Sequence, residues 1–383
     1  MRRTSLYTTS PTNIILLAPH DYEPSEPWFS PGRQAKLNSL ITIFNRFSAQ
    51  ITWVNTAPSA LPESKNLVQL IGPTISRLSL FLSIYRLYSY SRQLCQLSHT
   101  STLWVYNTRF RELLYTLILI FNCSIRNVVL QIEDLPCARI ENAGLIGFLD
   151  TLATRIFLRI ASSYTYVSPL IPSILHDQFN LIPSASLYFP PLLSSSYVSL
   201  IPSRSKPFNS ETIHIVYSGA YEYDKGVDII IDAFLSLPSE KYQLSLMGPA
   251  PESLRRRFID NPRIIFTGYL EVKSYYEYYL TADVIVNPHR PLLHSDYIFP
   301  HKLLDMFVSQ SLPLTTPSPA LHFFDFPDVC IFSTSSELAS QIVSAQTIHK
   351  SCTPQLLKLS KKIMDIATVD DLMLTSFSSL IGS

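Results

Sequence analysis

Glycine is scarce in this chain, with 9 residues in 383 against 28 prolines. A sequence so poor in the most permissive residue places its glycines where the backbone or a close neighbour has a use for them. Cysteine is sparse as well. The five (Cys95, Cys123, Cys137, Cys330, Cys352) are odd in number and show no CxxC spacing. That pattern excludes a disulfide framework or a zinc ribbon and points to reduced thiols in a cytoplasmic protein. Charged residues are few, 15% with a net charge of +1, so no basic field exists to make nucleic acid a main partner. Long apolar runs are missing too. The longest, "LLYTLILIFN" (Leu113 to Asn122), falls well short of the roughly 20 residues that a spanning helix needs and reads as a core helix. The N-terminal stretch "MRRTSLYTTSPTNIILLAPHDY" lacks the apolar core and cleavage signal of a secretory peptide.

What the chain does have is a repeating rhythm of short apolar strands and helical stripes, the pattern of βαβ units and parallel sheets. In the first half "NIILLAP", "QITWVN", "TLWVYN", "NVVLQIED" and "SYTYVS" are strand candidates, apolar enough to be buried on both faces. Leu37, Leu40, Ile41 and Phe44 form a helical stripe after the first. The stretch Pro190 to Thr212 is rich in Pro and Ser without periodicity and reads as a linker. The rhythm then restarts with "IHIVYSG", "YQLSLMG", "RIIFTGYL", "ADVIVNP" and "LPLTT". At 383 residues two domains are the natural division. The expectation is an α/β chain of two Rossmann-like, doubly wound domains facing a central cleft: residues 1–205, residues 206–350, and a C-terminal helical segment 351–383 returning toward the first domain.

One turn carries a chemical signal. "VYSGAYEYDKGVDIIIDAF" reads as a strand, a turn bounded by Gly219 and Gly226 with Lys225 inside it, and an amphipathic helix. A lysine just before a helix start, in a glycine-punctuated loop, suits an anionic ligand. The plainer alternative is a strand-ending glycine and a solvated lysine. The segment "RLSLFLSIYRLYSYSRQL" (Arg77 to Leu94) also has two readings, a face lying on an anionic membrane surface or a buried face with snorkelling arginines. Burial is the expectation.

In order and spacing, "YSGAYEYDKGVDIIIDAF", "LSLMGPA", "PRIIFTGYL", "YYLTADVIVNPHR" and "IFPHKLLDMFVSQSLPLTT" resemble the C-terminal domain of GT-B glycosyltransferases, family 4 or group 1, over about Ile213 to Thr316. The first half shares less, chiefly "SPGRQAK" and the "YVS" strand before "LYFPP". The resemblance implies a retaining transferase that holds a nucleotide-diphosphate sugar in its second domain and a polysaccharide or lipid-linked acceptor in its first, with no cofactor or required metal. It also implies work in polysaccharide biosynthesis in the cytoplasm, at the inner face of the membrane where the acceptor is lipid-linked.

Residue by residue, Lys225 occupies the phosphate-binding lysine position and Gly219 clears the strand end. Asp305 stands where a ribose-binding glutamate is usual, and Asp296 is an approximate stand-in for that glutamate's partner, nine positions earlier rather than eight. Phe299 and Lys302 match an "FPxK" variant, and Pro300 suits a first helical turn. Gly32 matches a glycine loop that would approach the diphosphate, with Arg33 adding charge. At the end of "VVLQIED", Glu133 and Asp134 replace a catalytic-site histidine, where they would contact an acceptor hydroxyl or a developing positive charge; His20 is a looser candidate. The family's arginine after the first glycine is Ala220 here, so Arg290 or Lys302 must supply that charge. Two other functions remain open: an inert GT-B binding partner and a non-hydrolysing nucleotide-sugar epimerase.

Overall fold

The computed structural model describes residues 13–19, 31–47, 49–58, 67–71, 79–97, 101–123, 125, 127–133, 135, 144–181, 185–189, 211–238, 240–291, 301–367 and 371–380. The candidates His20, Asp134, Asp296, Phe299 and Pro300 lie outside these residues, as does nearly all of the expected linker. The chain forms two units, Met1–Pro190 with Val369–Ser383, and Pro191–Thr368.

The first unit is built on a seven-stranded, all-parallel sheet. Its strands are β1 (Asn13–Ala18), β2 (Gln50–Pro58), β3 (Leu67–Ile71), β4 (Ser101–Tyr106), β5 (Asn127–Ile132), β6 (Ser163–Tyr166) and β7 (Ser186–Tyr188), in the order β3-β2-β1-β4-β5-β6-β7. β1 and β5 are buried along almost their whole length, as strands covered by helices on both faces must be. The first helix runs Pro31–Arg46 and buries Leu37, Leu40, Ile43 and Phe44. Gly32 and Arg33 therefore belong to a helical first turn and not to a loop. A proline at the first helical position has the right φ and lacks only an N–H that would have no partner. The last helix, Asp371–Leu380, belongs to this unit. Phe377 stacks on Trp104 at 5.6 Å, and Asn127 Nδ2 donates to the Leu380 carbonyl at 2.9 Å.

The second unit carries a five-stranded parallel sheet: β8 (Ile213–Ser218), β9 (Tyr242–Met247), β10 (Ile264–Gly268), β11 (Val284–Asn287) and β12 (Leu312–Thr315), in the order β10-β9-β8-β11-β12. The chain winds outward from β8 one way and from β11 the other. The crevice of a doubly wound sheet lies beyond the strand ends at such a reversal. The helix Val227–Leu235 buries Val227, Ile230, Ile231 and Phe234, the stripe read from sequence. The helix Ala345–Ala367 packs against the helix His301–Val308 and β12.

Candidate functional site

Beyond the end of β8 the backbone is held from three sides. Gly219 N–H donates to the Met247 carbonyl of β9 at 3.0 Å, and Tyr217 Oη donates to the Ala220 carbonyl at 2.6 Å. A single 3-10 turn, Tyr223–Lys225, leads to Gly226 at φ +64° and into the helix Val227–Leu235. From the β11 side, Arg290 N–H donates to the Asp224 carbonyl at 2.9 Å. Turn, β8 end and β11 end thus meet at the reversal of strand order.

Two ammonium groups come to this strand end. Lys225 is partly buried and pairs with Asp224 at 2.6 Å. Lys302, from the second position of the helix His301–Val308, lays its Nζ 4.9 Å from the Tyr217 ring centre and 3.3 Å from the Ser218 carbonyl oxygen. A Cβ at Gly219 would stand 3.5 Å from that Nζ and 3.0 Å from Tyr217 Oη, so the missing side chain leaves the strand end open to the lysine. Burial and then the nearby charge of Lys225 push Lys302 down to about 7, with Asp224 partly offsetting them. A second cation close to Lys225 with so depressed a proton affinity is a site short of negative charge.

Arg290 is engaged elsewhere. Its guanidinium binds both Asp228 oxygens, donates to the Tyr223 carbonyl and lies over the Tyr223 ring at 4.0 Å. Of the two cations that could replace the missing arginine, Lys302 reaches the β8 end and Arg290 braces the turn. The sequence had no means of separating them.

Asp305 is buried, at 3% exposure, together with Leu304 and Phe307 of the same helix. Leu303, Met306 and Val308 are buried too, because this helix packs on β11 and on the helix Ala345–Ala367 and has little free face. Asp305 Oδ2 accepts from Tyr275 Oη at 3.3 Å; Tyr275 also reaches Ser218 Oγ at 3.4 Å, and Ser218 shares a hydrogen bond with Tyr279. Burial raises Asp305 to about 8, and burial followed by Asp305 itself raises Tyr279. The carboxyl is thus linked through a tyrosine cluster to the last residue of β8. Sequence reasoning passed over Tyr217, Tyr275 and Tyr279. The available signal was the pair of tyrosines four apart in "SYYEYYL", which places both on one helix face.

In the first unit, Glu133 follows β5 and has both carboxylate oxygens occupied. Lys36 Nζ lies 2.9 and 2.8 Å from them, and Gln131 Nε2 donates to one. Gln131 in turn accepts from Trp104 Nε1 at 2.7 Å. Lys36 is buried, 5.3 Å from the Phe189 ring centre; burial lowers its proton affinity and Glu133 partly restores it. Lys36 was absent from the sequence candidates, although "SPGRQAK" contains it.

Comparison with known proteins supplies the remaining observations. Residues 212–325, the part of the chain that holds Gly219, Lys225, Lys302 and Asp305, match the family described as Glycosyl transferases group 1. A comparison with curated proteins gives no match. Among solved structures, the chain is similar to sucrose-phosphate synthase from Thermosynechococcus elongatus (13% identity, 96% of this chain and 98% of that one covered, TM-score 0.72). It is similar to Anabaena HepE in complex with UDP-glucose (14%, 96% and 99%, 0.64). It is also similar to a trehalose-6-phosphate synthase studied with bisubstrate glycomimetics for glycosyl transfer with retention (10%, 96% and 98%, 0.63). Coverage of this extent establishes that the fold is that of the GT-B glycosyltransferases.

Proposed function

For a chain with the GT-B fold and a group 1 glycosyl transferase segment at residues 212–325, we propose a retaining glycosyltransferase that moves a sugar from a nucleotide-diphosphate sugar to a polysaccharide or lipid-linked acceptor. The observation that carries the reading is Lys302 at the end of β8, where Gly219 leaves space for it, with Lys225 nearby in the turn that follows the strand. Breaking a glycosidic bond to a diphosphate loads negative charge onto the leaving group, and fixed cations lower that barrier most where water is excluded. In this proposal the diphosphate lies across the β8 end. Lys302 is charged fully only when it arrives, Lys225 exchanges Asp224 for phosphate, and the N-terminus of Val227–Leu235 adds the positive end of its helix dipole.

Asp305 takes the ribose in this proposal, supported by its link through Tyr275 to Ser218 at the same strand end; Asp296 and Phe299 are assigned to the donor by resemblance alone. Glu133 meets the acceptor in this proposal, and Asp134 is assigned to it by resemblance alone. With its charge balanced by Lys36, Glu133 is suited to accept a hydrogen bond more than to remove a proton. Gly32 and Arg33, in the first turn of the helix Pro31–Arg46, offer backbone N–H groups and a charge. The lysines supply the cationic charge, so turnover is expected to survive chelation.

The experiment is a thermal-shift panel of nucleotide-sugars on the whole chain, with UDP-glucose among them because HepE was solved with it. A donor that stabilises the protein and is hydrolysed slowly supports the enzyme. Binding without turnover on any acceptor fraction would favour the inert binding partner, and interconversion of donor epimers the epimerase.

A further inference from the structure

The segment expected to hide its apolar residues does not hide them. On the helix Ser79–Leu97, Ser83, Leu87 and Ser91 face inward, and Phe81 (70% exposed), Leu82, Tyr85 (69%) and Tyr88 stand in solvent. A second helix in the same unit, Leu145–Ile160, repeats the arrangement. It buries Asp150, Ala153, Thr154 and Phe157, while Leu145 (73%), Ile146 and Phe148 (65%) are exposed. Scattered exposed leucines need no explanation, but two clusters of large side chains in one unit do.

The two clusters share one end of the sheet. Each helix returns between parallel strands, Ser79–Leu97 from β3 to β4 and Leu145–Ile160 from β5 to β6. Both therefore run against the strand direction, and their N-terminal halves lie at the C-terminal ends of the strands. Both also flank the helix Phe110–Cys123: Ser83 Oγ meets Tyr115 Oη at 2.6 Å on one side, and Asp150 accepts from Phe110 N–H at 2.9 Å on the other.

The exposed charges on these two helices have one sign. The helix Ser79–Leu97 contains no Asp or Glu and exposes Arg86 and Arg92. The helix Leu145–Ile160 exposes Arg155 and Arg159, and its one acid, Asp150, is the buried acceptor for Phe110. Between them, Arg111 and Glu112 neutralise each other. A chain of net charge +1 thus presents Arg86 within one apolar cluster and Arg92, Arg155 and Arg159 farther along the same two helices, without an exposed acid on either helix.

We propose that this surface docks on an anionic phospholipid bilayer. Aromatic and aliphatic side chains enter the interface, and the arginines meet lipid phosphates. Self-association through a two-fold axis would bring the arginines of these helices toward those of the copy, which like charges oppose. No helix among the described residues is long and apolar enough to cross a membrane, so the contact is peripheral. This inference does not depend on the donor reading.

The test is flotation of the full chain with vesicles of phosphatidylcholine alone and of phosphatidylcholine with phosphatidylglycerol. Binding is expected only with the anionic lipid and is expected to weaken with salt. Arg86→Glu should weaken it at least roughly fivefold, the worth of about one arginine near such a surface. Phe81→Ser with Tyr85→Ser, and separately Ile146→Ser with Phe148→Ser, should each reduce it strongly while leaving the melting temperature and UDP binding unchanged. Phe81→Trp should shift its emission to the blue on adding anionic vesicles. Three results would overturn the proposal: no flotation at low salt, unaltered flotation in both serine pairs, or a vesicle-free dimer that those pairs dissolve. Loss of UDP binding in all proteins with intact flotation would sink the donor reading alone.

Discussion

Gly226 and the carbonyl of Pro288 are in contact across the reversal between β8 and β11, and a Cβ built on Gly226 would collide with that oxygen. The collision is with backbone, so no side chain can move aside to relieve it. Gly226 also sits at φ +64°, where an L-residue is strained by about 1–2 kcal/mol. Gly226→Ala is therefore expected to cost more than about 2 kcal/mol in urea unfolding. Gly268→Ala is the control, since Gly268 has φ +67° with open space around it and carries the strain alone. Equal losses at the two sites would mean that the Pro288 contact is not made.

Lys302 and Arg290 separate by experiment. Lys302→Met should weaken binding of a nucleoside diphosphate by about 1.5–3 kcal/mol, the usual worth of a charge-assisted contact, without loss of stability. Arg290→Ala should leave the affinity within twofold and instead lower stability by about 1 kcal/mol or less, because it ties a surface turn to a largely exposed Asp228. The reverse pattern in calorimetry would exchange their roles.

The depressed proton affinity of Lys302 has a readable consequence. Held to about 7 in the free protein, the amine is partly neutral at pH 7.5, and a bound diphosphate favours its charged form. Binding should take up protons near neutral pH, and affinity should fall with rising pH above about 7, at most tenfold per unit for one proton. Calorimetry in buffers of different ionisation enthalpy measures the uptake. It should vanish in Lys302→Met.

The pair Lys36–Glu133 joins positions 97 residues apart. Removing Lys36 leaves a largely buried carboxylate without its counter-charge, still held by the Gln131 hydrogen bond. Lys36→Met should cost about 3 kcal/mol or more, as breaking a buried pair does, whereas Lys36→Met with Glu133→Gln should recover most of it. Additive losses in the double-mutant cycle would show that the two groups do not interact.

Strand positions and the glycine turn were legible because they depend on local pattern: continuous apolar runs for β1, β4, β5 and β8, and Gly-Lys-Gly punctuation before an amphipathic helix. β3 and β7 were missed. Both are edge strands, and β7 has only three residues, partly exposed, which carry no pattern distinct from a loop. Pairings over long separations were not legible either. Nothing local says that Lys302, 84 residues from Ser218, reaches it while Arg290 turns to Asp228. The burial of Asp305 had the same cause, since its surroundings come from Tyr275 on another helix. The exposed face of Ser79–Leu97 was misjudged because apolar composition usually reports burial, and only tertiary packing reveals which face has a neighbour.

Asp305 offers a test of both stability and function. Burial lifts its carboxyl from the ordinary range to about 8. A group with a raised folded-state pKa binds more protons folded than unfolded, so its contribution is complete below the unfolded value near 4 and is lost as pH rises through about 8. Asp305→Asn carries no titrating proton and keeps the shape, so it should gain stability relative to the native protein as pH climbs from 5 to 8, by about 1.4 kcal/mol per unit at the steepest. The variant should still accept from Tyr275 through its amide oxygen. If the carboxyl also binds ribose, the same substitution should weaken a ribose nucleotide more than its 2′- or 3′-deoxy analogue, and the coupling in that cycle should be clearly nonzero for one hydroxyl. The two readouts are independent. A parallel pH profile for Asn and Asp would mean that the carboxyl is not held protonated, and zero coupling at both hydroxyls would take Asp305 out of the donor site while leaving its place in the tyrosine cluster intact.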